Sequence, residues 1–269
     1  MRSLLTGPPE SNIDVPDSVM PYAGSRPIEV VWLNELGGLT FRLPGGAQDI
    51  FIKWAPANCG IDLAVEQAKM VWAIAYTPVP RVLEFGKDRQ GSWLVTEAIN
   101  AENAVSERWK RDPAIAVAAI GRGLRAMHDA LPVDACPFSW STEDRISRAR
   151  GRAVRGETHP TDWHEEFRGF SIEAVLAELD SPPTSDQLVV CHGDACAPNT
   201  LIDHAGEWVA LVDMERLGIA DRWADLAIAS WSTQWNYGPG WEGLVYDSYG
   251  IDPDLEKIRF YRLLWDLEG

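Results

Sequence analysis

Apolar residues follow two different rhythms along this chain. Ile28 to Leu33 (IEVVWL) is a β-branched, apolar run, and after the turn-like Asn34 to Gly38 a second run begins at Leu39 (LTFRL), so the pair reads as a hairpin. Pro44-Gly45-Gly46 marks another turn, and Asp49 to Trp54 (DIFIKW) alternates apolar and polar as a third antiparallel strand would. The rhythm then changes. Asp62 to Ala75 carries Leu63, Val65, Met70, Val71 and Ile74 at helical spacing and is bounded by Pro78 and Pro80. Arg81 to Phe85 and Ser92 to Glu97 read as two further strands, which completes a small unit of five strands and one helix.

Beyond Asn100 the pattern is mainly helical. Pro113 to Ala130 is rich in alanine and places Ile115, Val117, Ile120, Leu124 and Met127 on one face. Thr142 to Arg155 and Ser171 to Leu179 predict two more helices, with a loop around Thr158 to Thr161. Three short strands are expected among them, at Gln187 to Cys191, Thr200 to Asp203 and Trp208 to Val212, and two helices after Asp221. The fold class is therefore α+β.

Bulk properties narrow the partners. With 269 residues and 46% hydrophobic composition the chain can bury a sizeable core. No apolar run approaches the roughly 20 residues of a membrane span, and Met1 to Pro9 lacks the hydrophobic segment of a secretory signal, so the cytoplasm is the expected compartment. The cysteines Cys59, Cys136, Cys191 and Cys196 are expected as reduced thiols. A formal charge of −16 argues against nucleic acid as a partner and suits a cationic ligand, although acidity of this kind also serves solubility.

The chemistry concentrates in Val189 to Ile202 (VVCHGDACAPNTLI), an apolar strand interrupted at His192-Gly193-Asp194 that resumes after Asn199. A polar loop between buried strands costs desolvation unless its groups are satisfied or used. Val209 to Asp213 (VALVD) then repeats the pattern of a strand ending in a carboxylate. Asp194, Asn199 and Asp213 can share one edge. Such a set suits phosphoryl transfer: one carboxylate takes the proton of the acceptor hydroxyl, while an amide oxygen and a second carboxylate supply the hard oxygen ligands magnesium needs. Any one of these residues alone would read as a turn residue; the three at this spacing read as a site.

HGDACAPN followed by VDMERLGIADRWADLA resembles the signature of the aminoglycoside phosphotransferases, most closely the 3'-phosphotransferase branch. The resemblance runs from about Val30 to the end and implies a bilobal, protein-kinase-like fold. Residues 1–98 would form a nucleotide-binding lobe of antiparallel sheet with one helix, and 99–269 a larger, mainly helical catalytic and substrate-binding lobe. It implies Asp194 as catalytic base, Arg216 as a cation near the transferring phosphate, Asn199 and Asp213 as Mg2+ ligands, and Asp225 as a structural anchor for the loop. ATP or GTP would be the co-substrate. Lys53 on the third strand and Glu66 in the following helix fit the lysine–glutamate pair of a kinase. By the same resemblance Phe51 would stack on the base, Glu97 and Ala98 would form the hinge that hydrogen-bonds it, and Asn34 to Thr40 would cover the phosphates. Leu36 stands where relatives usually carry a serine, so contacts there would come from backbone N–H groups around Gly37 and Gly38.

For the acceptor, the resemblance implies that Asp162, Glu165 and Glu166, in an acidic loop and helix start, together with Asp266 and more weakly Glu268, bind the amines of an aminoglycoside. The C-terminus departs from the family, ending Trp265-Asp266-Leu267-Glu268-Gly269 where relatives carry an acidic pair followed by aromatic residues. Three other readings compete. One is a kinase of the same fold acting on a sugar, an amino alcohol or another antibiotic. Another is a non-catalytic nucleotide-binding module, which leaves the full catalytic set unexplained. The last is a metal site from Cys191, His192, Cys196 and His204, which lacks a CxxC pair. Oligomeric state is left open.

Overall fold

The computed structural model describes residues 13–268, so the segment Met1 to Pro9 and the final glycine lie outside the described residues. The chain divides into two compact units, Met1–Asn100 and Ala101–Gly269.

In the first unit a short helix α1 (Met20–Ala23) precedes β1 (Glu29–Leu33), β2 (Leu39–Leu43) and β3 (Ile50–Pro56). Helix α2 (Leu63–Ala73) and strands β4 (Val82–Lys87) and β5 (Gly91–Glu97) follow. The antiparallel sheet has the order β1-β2-β3-β5-β4. Because side chains alternate along β3, Ile50 and Ile52 join Phe41, Leu43, Val95 and Val19 in a buried core on one face. Phe51 and Lys53 are directed to the other face, with Lys53 opposite Thr40 on β2 and Leu94 on β5.

Along helix α2 and its C-cap the apolar residues do not all share the buried face. Val65, Val71 and Ile74 are exposed, whereas Leu63, Glu66, Lys69, Met70 and Ala73 are buried. The helix is capped by Asp62, whose side chain accepts from the N–H groups of Ala64 and Val65, and it turns Glu66 inward. The lysine on β3 supplies the reason, since an ammonium in a half-buried strand needs a carboxylate within reach.

The second unit opens with β6 (Glu102–Asn103), α3 (Glu107–Arg111) and α4 (Pro113–Ala130). Then come α5 (Thr142–Val154), α6 (Ile172–Glu178), β7 (Leu188–Cys191), β8 (Thr200–Ile202), β9 (Trp208–Leu211) and β10 (Gly218–Asp221). Helices α7 (Trp223–Tyr237), α8 (Glu242–Tyr249) and α9 (Leu255–Glu268) end it, three where two were expected, because Gly238-Pro239-Gly240 stops α7 early. Strands β6, β8 and β9 form one small sheet, and β7 pairs with β10 in another. The two halves of the VVCHGDACAPNTLI segment thus belong to different sheets, with its polar loop as the link.

Ile115 of α4 is exposed, and the buried face instead includes Gly121 and Gly123. A Cβ on Gly121 would lie 2.5 Å from the Val245 carbonyl oxygen, so α4 and α8 approach at backbone distance. No helix among the described residues is long and apolar enough to cross a membrane.

Candidate active site

The loop after β7 is tied down by one buried carboxylate. Asp225, fully buried in the first turn of α7, accepts from the His192 N–H at 2.6 Å through Oδ2 and from the Gly193 N–H at 2.9 Å through Oδ1. Its Oδ2 also lies 3.0 Å from Nε2 of buried His128, whose Nδ1 is 2.9 Å from the Tyr249 hydroxyl. Burial is the largest influence on Asp225 and pushes its pKa up. The His128 hydrogen bond, the charges of His128 and His192 and the Gly193 N–H outweigh it, and the carboxyl is held below its ordinary range. This is the structural anchor that the sequence motif implies.

Gly193 has φ of +83°, and a Cβ there would lie 2.6 Å from Arg216 Cβ and closer still to the Arg216 carbonyl oxygen. Only glycine fits, because the loop both turns left-handed and presses against the backbone after Asp213. His192 adds a second tie, its Nε2 lying 2.8 Å from the Val212 carbonyl oxygen while Nδ1 accepts from the Asp194 N–H at 3.2 Å. Asn199 Nδ2 donates to the Asp194 carbonyl oxygen at 2.9 Å, and the Val212 N–H donates to the Asn199 carbonyl oxygen at 3.0 Å. Asp194, Asn199 and the residue before Asp213 are therefore joined by one side-chain-to-backbone and one backbone hydrogen bond.

Three features make this assembly a candidate reacting site. Asp194 Oδ1 is buried with no hydrogen-bond partner among the described residues, a costly arrangement unless a ligand uses it. Asp213 adopts φ 68° and ψ 63°, a left-handed conformation uncommon for a non-glycine residue and one that clusters at functional positions. Asn199, with Nδ2 committed to Asp194, presents its Oδ1 as the acceptor end. Hard oxygen donors from Asn199 and Asp213 fit magnesium as a ligand set.

In the first unit, Lys53 Nζ donates to Glu66 Oε1 at 2.6 Å, and Glu66 is only 3% exposed. Phe51 is half-buried on the same face of β3. The expected hinge is more committed than the sequence suggests: the Glu97 N–H donates to the Arg81 carbonyl oxygen at 2.9 Å and the Ala98 N–H to that of Asp49 at 3.0 Å. Neither N–H is left over for a base. In the loop expected to cover the phosphates, Asn34 Oδ1 accepts from the N–H groups of Leu36 and Gly38 at 3.0 and 2.7 Å, which sets the turn.

The acidic residues assigned to the acceptor separate into three environments. Asp162 ends a single 3-10 turn (Pro160–Asp162), and Glu165 and Glu166 lie in the exposed turns that follow, since α6 starts only at Ile172; they sit in a loop, not at a helix start. The Asp266 side chain is 4% exposed and is brought to that loop by His164, which donates its backbone N–H to Oδ2 at 2.9 Å and places Nδ1 2.5 Å from Oδ1. His164 itself stacks on Trp235 at 4.6 Å and packs on Trp231 at 4.0 Å. Glu268 is removed from the acceptor set: it is buried and bonded to Arg145 at 2.8 Å and Arg148 at 3.1 Å, a structural anchor for α9.

The competing metal cluster does not assemble. Among the described residues the one group of three metal-capable side chains is His128, Cys191 and Asp225, and both ring nitrogens of His128 already lie at hydrogen-bond distance from Tyr249 and Asp225. His128, His164, Trp231 and Trp235 were invisible to motif reading because they act through contacts distant in sequence.

Residues 64–261 match the phosphotransferase enzyme family. An aminoglycoside 3'-phosphotransferase of Streptomyces fradiae is 36% identical over 247 residues, covering 86% of this chain and 91% of the relative. This chain belongs to the aminoglycoside phosphotransferase family. A solved structure of an aminoglycoside 3'-phosphotransferase of type VIII superposes with a TM-score of 0.81 at 33% identity, covering 93% of this chain and 96% of that one. The aminoglycoside phosphotransferase APH(3'')-Id of Streptomyces rimosus, in complex with ADP and streptomycin, gives 0.74 at 28% identity with the same coverage. The α+β, kinase-like fold expected of this phosphotransferase is the fold these structures share.

Proposed function

We propose that this chain transfers the γ-phosphoryl group of ATP or GTP to the 3'-hydroxyl of an aminoglycoside, and so acts as an antibiotic-resistance kinase of the cytoplasm. The observation that carries the reading is the buried Oδ1 of Asp194, without a hydrogen-bond partner among the described residues, in a loop held by Asp225 and by the Asn199 side-chain amide bonded to the Asp194 carbonyl oxygen. Asp194 accepts the hydroxyl proton as the new oxygen–phosphorus bond forms and the bond to the nucleoside diphosphate breaks. Asn199 and Asp213 would hold magnesium, which when bound neutralises phosphate charge. Lys53, fixed by Glu66, serves the nucleotide phosphates, Phe51 the base and Arg216 the transferring group. Residues 1–98 are the nucleotide-binding part and 99–269 the catalytic and acceptor-binding part.

The exposed carboxylates of Asp162, Glu165 and Glu166, with Asp266 beside them through His164, support a polyamine acceptor over nucleic acid. The hinge contact assigned to Glu97 and Ala98 passes to carbonyl oxygens, since both N–H groups are engaged. Purified chain is assayed with ATP and GTP against kanamycin and against tobramycin, which lacks the 3'-hydroxyl. Kanamycin alone should be phosphorylated. Equal turnover of both would refute the 3' site, and turnover of streptomycin, a sugar or an amino alcohol in their place would move the acceptor while keeping the chemistry. Asp194→Asn should abolish transfer, and unchanged turnover would exclude Asp194 as the base.

A further inference from the structure

Arg216 closes a short turn, Met214–Arg216, that follows Asp213 directly. Its guanidinium carbon lies 5.0 Å from the centre of the Trp265 ring and 5.7 Å from that of Trp140. Two other guanidiniums share Trp140, Arg148 at 4.5 Å and Arg145 at 5.1 Å. Both of those are neutralised by Glu268. Arg216 has no carboxylate or carbonyl partner among the described residues. A carboxylate would hold a guanidinium by consuming its N–H donors, whereas an aromatic face attracts the cation and leaves those donors for another ligand.

The two rings are themselves fixed. The Trp140 N–H donates to the Ile219 carbonyl oxygen at 3.0 Å, and the Ile219 N–H donates to that of Phe138 at 2.9 Å. Gly218 lets this strap approach, since a Cβ there would lie 2.6 Å from the Ser139 carbonyl carbon. Trp140 is thus lashed to β10, which begins two residues after Arg216. Trp265 is placed by α9, whose neighbouring Asp266 and Glu268 are bonded to His164 and to Arg145 and Arg148.

We propose that Trp140 and Trp265 are positioning residues that clamp Arg216 between aromatic rings as a preorganised receptor for the oxygens of the phosphoryl group in flight. Helix α9 then contributes to the transfer step as well as to acceptor binding, through adjacent residues Trp265 and Asp266. The inference rests on the phosphoryl transfer proposed above.

The test uses the full chain with ATP and kanamycin. Trp265→Leu should lower kcat about tenfold, the loss of one half-buried cation–π contact, while the KM for ATP stays within twofold. Trp265→Phe should keep most of the activity, and Arg216→Ala with Trp265→Leu should be no slower than Arg216→Ala alone. An equal fall for Phe and Leu, or a further tenfold fall in the double variant, would overturn the clamp. A readout independent of turnover is the rate at which phenylglyoxal modifies Arg216, followed by peptide mass spectrometry. That rate should rise several-fold in Trp265→Leu and stay near wild type in Trp265→Phe; identical rates in all three would also overturn it. If Trp265→Leu does not fold, Trp140→Leu and Trp140→Phe give the same comparison on the other ring. A wild-type chain that modifies as expected yet phosphorylates no acceptor would sink the proposed function and leave the clamp standing.

Discussion

Asp225→Asn tests the anchor of the proposed catalytic loop without changing its size. The carboxylate receives two backbone N–H groups, on different oxygens, and also faces His128. An asparagine offers one oxygen, so whichever way its amide turns, its NH2 meets the N–H of either His192 or Gly193. One charge-assisted hydrogen bond is lost, about 1.5–3 kcal/mol, and a buried donor is left unsatisfied, about 1–3 kcal/mol more. The sum, about 2.5–6 kcal/mol, brackets the roughly 3–5 kcal/mol that breaking a buried charged pair usually costs. For a chain of this length each kcal/mol moves the melting point about 2–4 °C, so the midpoint should fall by about 6–20 °C. Turnover should fall about a hundredfold as well, because the next residue is Asp194 and a displacement near 1 Å suffices for that loss. Circular-dichroism melts and steady-state kinetics measure both. A midpoint within 2 °C of wild type together with normal kcat would refute the anchoring argument. The pH dependence has a definite sign. With its folded pKa lowered, ionised Asp225 contributes its full stability above the ordinary carboxylate pKa of about 3.9, and the contribution is lost as pH falls through the folded value. The difference between wild type and Asp225→Asn should therefore be constant near neutrality and shrink below about pH 4.

Two further substitutions probe other parts of the site. Gly193→Ala must place a Cβ 2.6 Å from Arg216 Cβ at a φ of +83°, so it should destabilise by at least about 1–2 kcal/mol in a melt and lower kcat more than it raises KM. Lys53→Met leaves the nearly buried Glu66 without its ammonium, and should lower kcat/KM for the nucleotide at least tenfold while also weakening the first unit; unchanged nucleotide kinetics would exclude the phosphate role.

Much of this architecture is legible along the chain because it is local. The hairpin of β1 and β2 follows from two β-branched runs and an Asn-to-Gly turn, and Gly193 beside Asp194 announces a tight loop. Helical spacing announces α2 but not its buried face: Glu66 turns toward Lys53, and Val65, Val71 and Ile74 are exposed. Asp266 and Glu268 show the same limit: two acids two residues apart read alike in sequence. One reaches His164 at the acidic loop, and the other is neutralised by two arginines from α5.

The order of residue types therefore carries the proposed chemistry, since phosphoryl transfer needs an Asp, an Asn and a second Asp at spacings that a short strand–loop–strand can bring together, and those spacings survive in one dimension. Long-range packing assigned the supporting roles. Which histidine braces Asp225, which tryptophans hold Arg216 and which C-terminal acid lies beside the acidic loop depend on contacts about a hundred residues apart or on helix α9 docking against α5. Such contacts are set by burial and by pairing of charges across elements, and neither leaves a local pattern to read.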